Sequence, residues 1–229
     1  MNNTMRQKAE LIKRVIPRYA RSVFLTGLTL FLAAGTFSYW QAWVFLAIFY
    51  IPMLFIIAYL VQCDSDLLKR RLKTQEIKPG QSFLANMFYI TCYSVAIISG
   101  LDRRCYWSYV PLPIVILSEI LFLAGYIFLF WVFKENKYLA HTVVIEKEQE
   151  AVTWGPYALV RHPMYFSELI MFIFACLALG SYWALIITTV MIGVLAARIV
   201  TEERLLMQEL NGYQEYARKT KYRLIPGIW

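Results

Sequence analysis

Between Gly155 and Tyr165 the chain reads GPYALVRHPMY. The stretch sets Arg161, His162, Tyr157 and Tyr165 around Pro163 where an apolar segment begins, and it holds one of only two histidines in 229 residues. Charged and hydroxyl-bearing groups at the mouth of an apolar helix cost free energy unless hydrogen-bonded, so such a cluster marks a site. A second charged cluster, RIVTEER, runs from Arg198 to Arg204 at the far end of the apolar segments that follow. If those segments form a hairpin, the chain returns to the side it left and the two clusters meet. His141, Tyr157, Arg161, His162, Tyr165, Arg198, Glu202 and Glu203 then converge on one mouth. They offer cations for a carboxylate, carboxylates for an amino group or ribose hydroxyls, and tyrosine faces for an aromatic ring. Those are the requirements of an amino-acid-bearing nucleotide such as S-adenosylmethionine. The same residues also suit interfacial anchors and topology charges, and composition alone does not choose between the two.

The elements that must position these residues are membrane helices. The chain is 59% hydrophobic and 17% charged, with mean hydropathy +0.51, far from the ~25% charge of a soluble domain. Six segments read as spans: 22–40, 41–61, 82–100, 110–133, 164–180 and 182–200, with 164–180 the shortest. Each approaches the ~20 residues that cross a hydrocarbon core. The expected fold is all-α, a single polytopic membrane domain over 1–229. A cofactor pocket on its cytoplasmic side is closed by the 134–163 loop and the C-terminal helix.

Charge sets the orientation. Six basic residues fall in 1–21, five in 62–81, four in 134–163 and six in 198–223, leaving only Arg103 and Arg104 for the opposite side. Six spans place all four basic regions on one side, and the positive-inside rule puts both termini in the cytoplasm. The net charge of +8 therefore reads as topology; it is dispersed over short segments, which argues against nucleic-acid binding. Residues 1–21 read as an amphipathic cytoplasmic lead, and 62–81 as a polar loop with a short surface helix. The four cysteines show no CxxC spacing, so neither a disulfide framework nor a metal site is expected.

Two acidic residues fall inside apolar segments. Glu119 suits an interhelical hydrogen bond. Glu168 follows His162 by six residues, about 9 Å along a helix, and is a candidate lining and catalytic residue. Pro163 suits the first helical turn, whose positive end favours a carboxylate.

The motif order over 135–229 resembles the isoprenylcysteine carboxyl methyltransferases and their relatives, the phospholipid N-methyltransferases. Asn136 and His141 match the family's Asn…His lead-in, and AVTWGPY (151–157) is similar to its VTSGxY stretch. Arg161 to Tyr165 match RHPxY, Glu202 and Glu203 its acidic pair, Tyr213 and Tyr216 its YxxY, and Leu224 to Pro226 its terminal proline motif. The resemblance implies a multi-pass membrane enzyme of a prokaryotic inner membrane. It binds S-adenosylmethionine, releases S-adenosylhomocysteine, and takes a lipophilic or lipid-modified acceptor sideways from the bilayer. Carried over, its cofactor contacts fall on Gln149, Glu150, Ala151, Val152, Tyr157, His162, Pro163, Met164, Tyr165 and Glu202. Its acceptor-side arginine, implied to hold a carboxylate, falls on Arg198.

The chain departs from the pattern at Trp154, at Ser167 and Glu168, and at Glu209 and Leu210. Glu168 changes the charge of the pocket and suits an amine or hydroxyl acceptor that needs a base. Two alternatives remain at this stage. One is an NADPH-dependent membrane reductase of the sterol-reductase type, which shares RHPxY. The other is a non-enzymatic membrane transporter. The sequence leaves oligomeric state open.

Overall fold

The computed structural model describes residues 3–72, 79–139 and 149–229. Among them it is all-helical: α1 (Asn3–Ala34), α2 (Trp40–Cys63), α3 (Ser65–Leu72), α4 (Pro79–Cys105), α5 (Leu112–Glu135), α6 (Pro163–Ala178), α7 (Ala184–Glu209) and α8 (Tyr213–Lys219), with one 3₁₀ turn at Gly155–Ala158. Four of these helices are long and apolar enough to cross a membrane, at Trp40–Cys63, Phe83–Cys105, Leu112–Glu135 and Ala184–Glu209. The other two expected spans fall on α1 and α6. Residues 3–21 of α1 carry six basic residues. With 16 residues, α6 is about 24 Å long.

The lead 1–21 and the first expected span fall on one continuous helix, Asn3–Ala34. Leu11 and Val15 on its first half are buried, and Val15 packs with Leu60, Val61, Leu67, Leu68 and Phe133. The helix stops at Gly35, whose φ of +65° is a left-handed stop that favours glycine. The following turn delivers Trp40 and Trp43 into α2, and Trp43 donates to the Phe37 carbonyl at 2.9 Å.

Within the expected 62–81 loop, Ser65–Leu72 form α3, and Asp64 starts it. Its Oδ1 accepts from the Leu67 amide at 3.0 Å, an N-cap bond. Leu67 and Leu68 are buried, which fixes this basic helix to the bundle. The start of α1, the end of α2, α3, the end of α5, the start of α6 and the end of α7 all lie at one end of the bundle.

The opposite end is tied by a polar knot. Buried Asp102 accepts from the Ser108 amide at 2.8 Å, the Ser108 hydroxyl at 2.6 Å and the Ser181 hydroxyl. Tyr39 donates to the Leu179 carbonyl. These bonds join the three turns that close α1–α2, α4–α5 and α6–α7, and every oxygen of a costly buried carboxylate is used.

Between the ends the core is aromatic and aliphatic. Phe122 meets Phe45 and Tyr126 edge-on, with ring centroids 5.3 and 5.6 Å apart. Surrounding lipid is as apolar as these side chains, so close packing rather than water exclusion holds the helices together. Close approach needs small residues. A Cβ on Gly100 would stand 2.5 Å from Ala33 Cβ and 2.8 Å from the Leu30 carbonyl on α1.

Candidate active site

The site is assembled at the end of the bundle that carries α3. Its frame is a hairpin: α6 leaves from Pro163 and α7 returns through Arg198, Glu202 and Glu203. The first anchor lies at the end of α5. Glu135 takes the indole N–H of Trp131 at 3.1 Å and that of Trp154 at 2.9 Å, clamping the 149–158 segment to α5. Gly155 sits against that carboxylate with φ +59°, and a Cβ there would come 3.0 Å from Glu135 Cγ. One residue further along α5, Asn136 donates its amide N–H to Tyr157 Oη at 2.7 Å.

The second anchor is the C-terminal segment. The Arg161 amide donates to the Tyr222 carbonyl and the His162 amide to the Arg223 carbonyl, both at 2.9 Å. Tyr216 Oη donates to the Tyr157 carbonyl at 2.8 Å. The residues just before α6 are thus held from both sides, by the end of α5 and by the tail. This satisfies backbone groups that a buried loop would otherwise leave unpaired.

The acidic pair divides its work. Glu203 is buried and gathers two arginines and a histidine: Arg161 Nε and His162 Nε2 stand 3.1 and 3.3 Å from Oε1, and Arg223 Nε donates to Oε2 at 2.7 Å. Glu202 faces the other way. It accepts from Tyr165 Oη and has Arg198 Nη2 at 3.8 Å. The Arg198 guanidinium lies 5.3 Å from the Tyr165 ring centroid, a cation–π distance. The His162 ring stacks on Tyr165 with centroids 5.9 Å apart.

These residues line a hollow that is partly open to solvent. Of the residues expected from sequence, Gln149, Glu150, Ala151, Val152, Tyr157, Arg161, His162, Pro163, Met164, Tyr165 and Glu202 line it. His141 lies outside the described residues. Glu203 is not in the lining; its oxygens are turned to Arg161, His162 and Arg223 behind the wall. Arg198 and Glu168, expected as catalytic, also stand outside the lining.

Sequence reasoning left out several lining residues: Tyr138, Leu139, Leu206, Leu210, Tyr213 and Tyr216. The YxxY spacing was the available signal for the last two. Tyr213 Oη is buried without a hydrogen-bond partner, and burial raises its pKa and that of Tyr157 above the usual phenol range. Both remain neutral hydroxyls at any ordinary pH.

Comparison with known proteins agrees with this geometry. Residues 113–214 match the model of the phospholipid methyltransferase family. That family includes the isoprenylcysteine carboxyl methyltransferases. The matched region runs from the first turn of α5 into α8, so it takes in α6, α7 and nearly all of the hollow's lining. No curated protein matches the chain. The family match favours a membrane methyltransferase over the reductase and transporter alternatives.

Proposed function

We propose that this chain is an integral membrane methyltransferase that uses S-adenosylmethionine to methylate a lipophilic acceptor, most simply a carboxylate held by Arg198. The observation that carries the reading is the shared hollow. The RHPMY and TEER clusters, about 40 residues apart in sequence, put His162, Tyr165 and Glu202 on one wall.

The lining fits the methyl donor. Glu202 and Glu150 are carboxylates for amino or ribose groups, Gln149 adds an amide, and Tyr213 adds a buried hydroxyl with no hydrogen-bond partner among the described residues. Tyr157, Leu206, Leu210 and Tyr216 give an apolar and aromatic bed for a base. The donor supplies a methyl group on a sulfonium, which leaves as a neutral thioether keeping the electron pair of the broken C–S bond. No acid is therefore required of the protein.

Arg198 provides the acceptor side. Its guanidinium is held over Tyr165 and close to Glu202, fixing a planar fork suited to a carboxylate. An ionised carboxylate forms the new O–C bond without losing a proton, so no general base is needed at neutral pH. The work left to the protein is alignment and exclusion of water. The proposed setting is a prokaryotic inner membrane with both termini cytoplasmic, and the acceptor comes from the bilayer.

Calorimetric titration of the purified protein with S-adenosylhomocysteine tests the reading, with one site per chain expected. Folded protein that shows no binding would refute it; binding of NADPH instead would point to a reductase.

A further inference from the structure

One wall of the hollow is not supplied by the α6–α7 hairpin. Asn136, Tyr138 and Leu139, at and just beyond the end of α5, line it. Tyr138 and Leu139 belong to no helix, so side chains must fix them. Asn136 does part of this: its Oδ1 accepts from the Tyr138 amide at 3.0 Å, a local turn, while its own amide donates to Tyr157 Oη at 2.7 Å. The rest comes from α3. Leu67 and Leu68 are buried against Leu60, Val61 and Phe133, and Leu72 and Leu139 pack on the same cluster.

That docking aims the basic residues of α3. Lys69 pairs with Asp66 at 2.8 Å. Half-buried Arg70 reaches the wall: Nη1 donates to the Lys137 carbonyl at 2.8 Å, and the guanidinium stands 5.4 Å from the Tyr138 ring centroid. A cation just past a helix C-terminus meets the negative end of the dipole and the carbonyls that the helix leaves unpaired. A planar guanidinium can also serve a carbonyl with its edge and a ring with its face. Lys137 Nζ stands 5.3 Å from the same ring centroid. Arg71 turns to a different wall. Its Nη1 lies 4.0 Å from Met164 Sδ in the first turn of α6, and its guanidinium is 4.7 Å from the Phe133 ring centroid. Met164 lines the hollow. Consecutive residues of one short helix thus reach two walls of the hollow, and neither arginine is in the lining.

We propose that α3 is a brace of the donor site, and that Arg70 is a positioning residue which holds Tyr138 and Leu139 in place for S-adenosylmethionine. This rests on the methyltransferase reading and deepens it: donor affinity depends on a helix outside the matched region 113–214. The physical ground is preorganisation. A wall segment that must be ordered when the ligand arrives subtracts from affinity, whereas one already held does not.

The test is a double-mutant cycle read by calorimetric titration with S-adenosylhomocysteine, on full-length protein in an uncharged detergent. Its members are the wild type, Arg70→Met, Tyr138→Leu and the double variant. Arg70→Met keeps an unbranched stem and removes the fork; it should bind about tenfold more weakly, the size of one charge-assisted hydrogen bond. Tyr138→Leu removes the ring through which the arginine acts, so adding Arg70→Met to it should cost about threefold or less. Arg70→Lys keeps a cation for the carbonyl but has no plane to lay on the ring, and should fall between wild type and Arg70→Met. Without ligand, Arg70→Met should melt within about 4 °C of wild type. Unchanged affinity in Arg70→Met, whatever its midpoint, or a loss of the same size in both backgrounds, would overturn the inference alone. If Arg70→Met does not fold, Arg70→Lys takes its place in the cycle under the same criteria. A wild type that binds no S-adenosylhomocysteine would overturn the methyltransferase reading, and this inference with it.

Discussion

Glu203→Ala separates the two members of the acidic pair. The Glu203 side chain is 5% exposed, and the two groups on its Oε1, Arg161 and His162, are 8% and 7% exposed. Removing one partner of a buried ion pair costs about 3–5 kcal/mol, because the remaining charge is left without compensation. Arg223 is 37% exposed, so water screens it and its share is about 0–1 kcal/mol. A total near 3 kcal/mol lowers the unfolding midpoint of a chain this size by about 6–12 °C. Glu202→Gln should behave differently. Its principal bond is to Tyr165, worth about 1 kcal/mol, so its midpoint falls by about 2–4 °C. The assay is thermal unfolding in detergent, with and without S-adenosylhomocysteine at a hundred times its Kd, where a bound ligand adds about 2.7 kcal/mol. Glu203→Ala should show the large drop without ligand, and Glu202→Gln should lose the rise that ligand produces. A Glu203→Ala protein that melts within about 2 °C of wild type, or a Glu202→Gln protein that keeps the full ligand response, would refute this division of labour.

Three further outcomes follow from the same geometry. Tyr165→Phe removes the bond to Glu202 but keeps the ring beneath Arg198; stability should fall by about 1 kcal/mol, with a larger loss in turnover than in S-adenosylhomocysteine affinity measured by calorimetry. Gly155→Ala meets both a φ of +59° and a Cβ contact at 3.0 Å to Glu135, so about 1–2 kcal/mol of backbone strain should appear as a lower midpoint and a loosened Trp154 fluorescence environment. Arg198→Met should raise the acceptor KM or lower turnover while S-adenosylhomocysteine affinity stays near wild type, since Arg198 is outside the hollow's lining.

Much of this architecture was legible in the chain. Periodicity and hydropathy located α2, α4, α5 and α7 to within a few residues, because an apolar run of membrane length has few other fates. The RHPMY and TEER clusters were readable as neighbours because a hairpin returns to its starting side. What eluded the sequence was tertiary. Nothing in the local pattern of the α1 lead says that Val15 will find Leu67 and Phe133. The run containing Arg71 read as topology charge. Its basic composition is equally consistent with a solvated face, and only the docking of Leu67 and Leu68 turns Arg71 toward Met164. The contrast between Glu202 and Glu203 was also invisible. Adjacent residues on a helix point about 100° apart, but which of the two faces the hollow depends on where the C-terminal segment brings Arg223.

Tyr165 is where these observations bear on reactivity. It is almost fully buried, lines the hollow, donates to Glu202, stacks on His162 and lies beneath Arg198. Few residues in a bundle are held from so many directions, and a ring so held cannot swing aside without breaking a hydrogen bond and two ring contacts together. Methyl transfer demands that donor and acceptor be aligned to a fraction of an ångström. A ring fixed at the edge of the hollow, with Arg198 over its face, supplies part of that alignment without a moving lid. The physical consequence is that acceptor reach is set by the edge of Tyr165. A bulkier wall at Met164, beside that edge and in contact with Arg71, should impair turnover more severely than the same added volume at Leu206 or Leu210, which line the hollow away from Arg71.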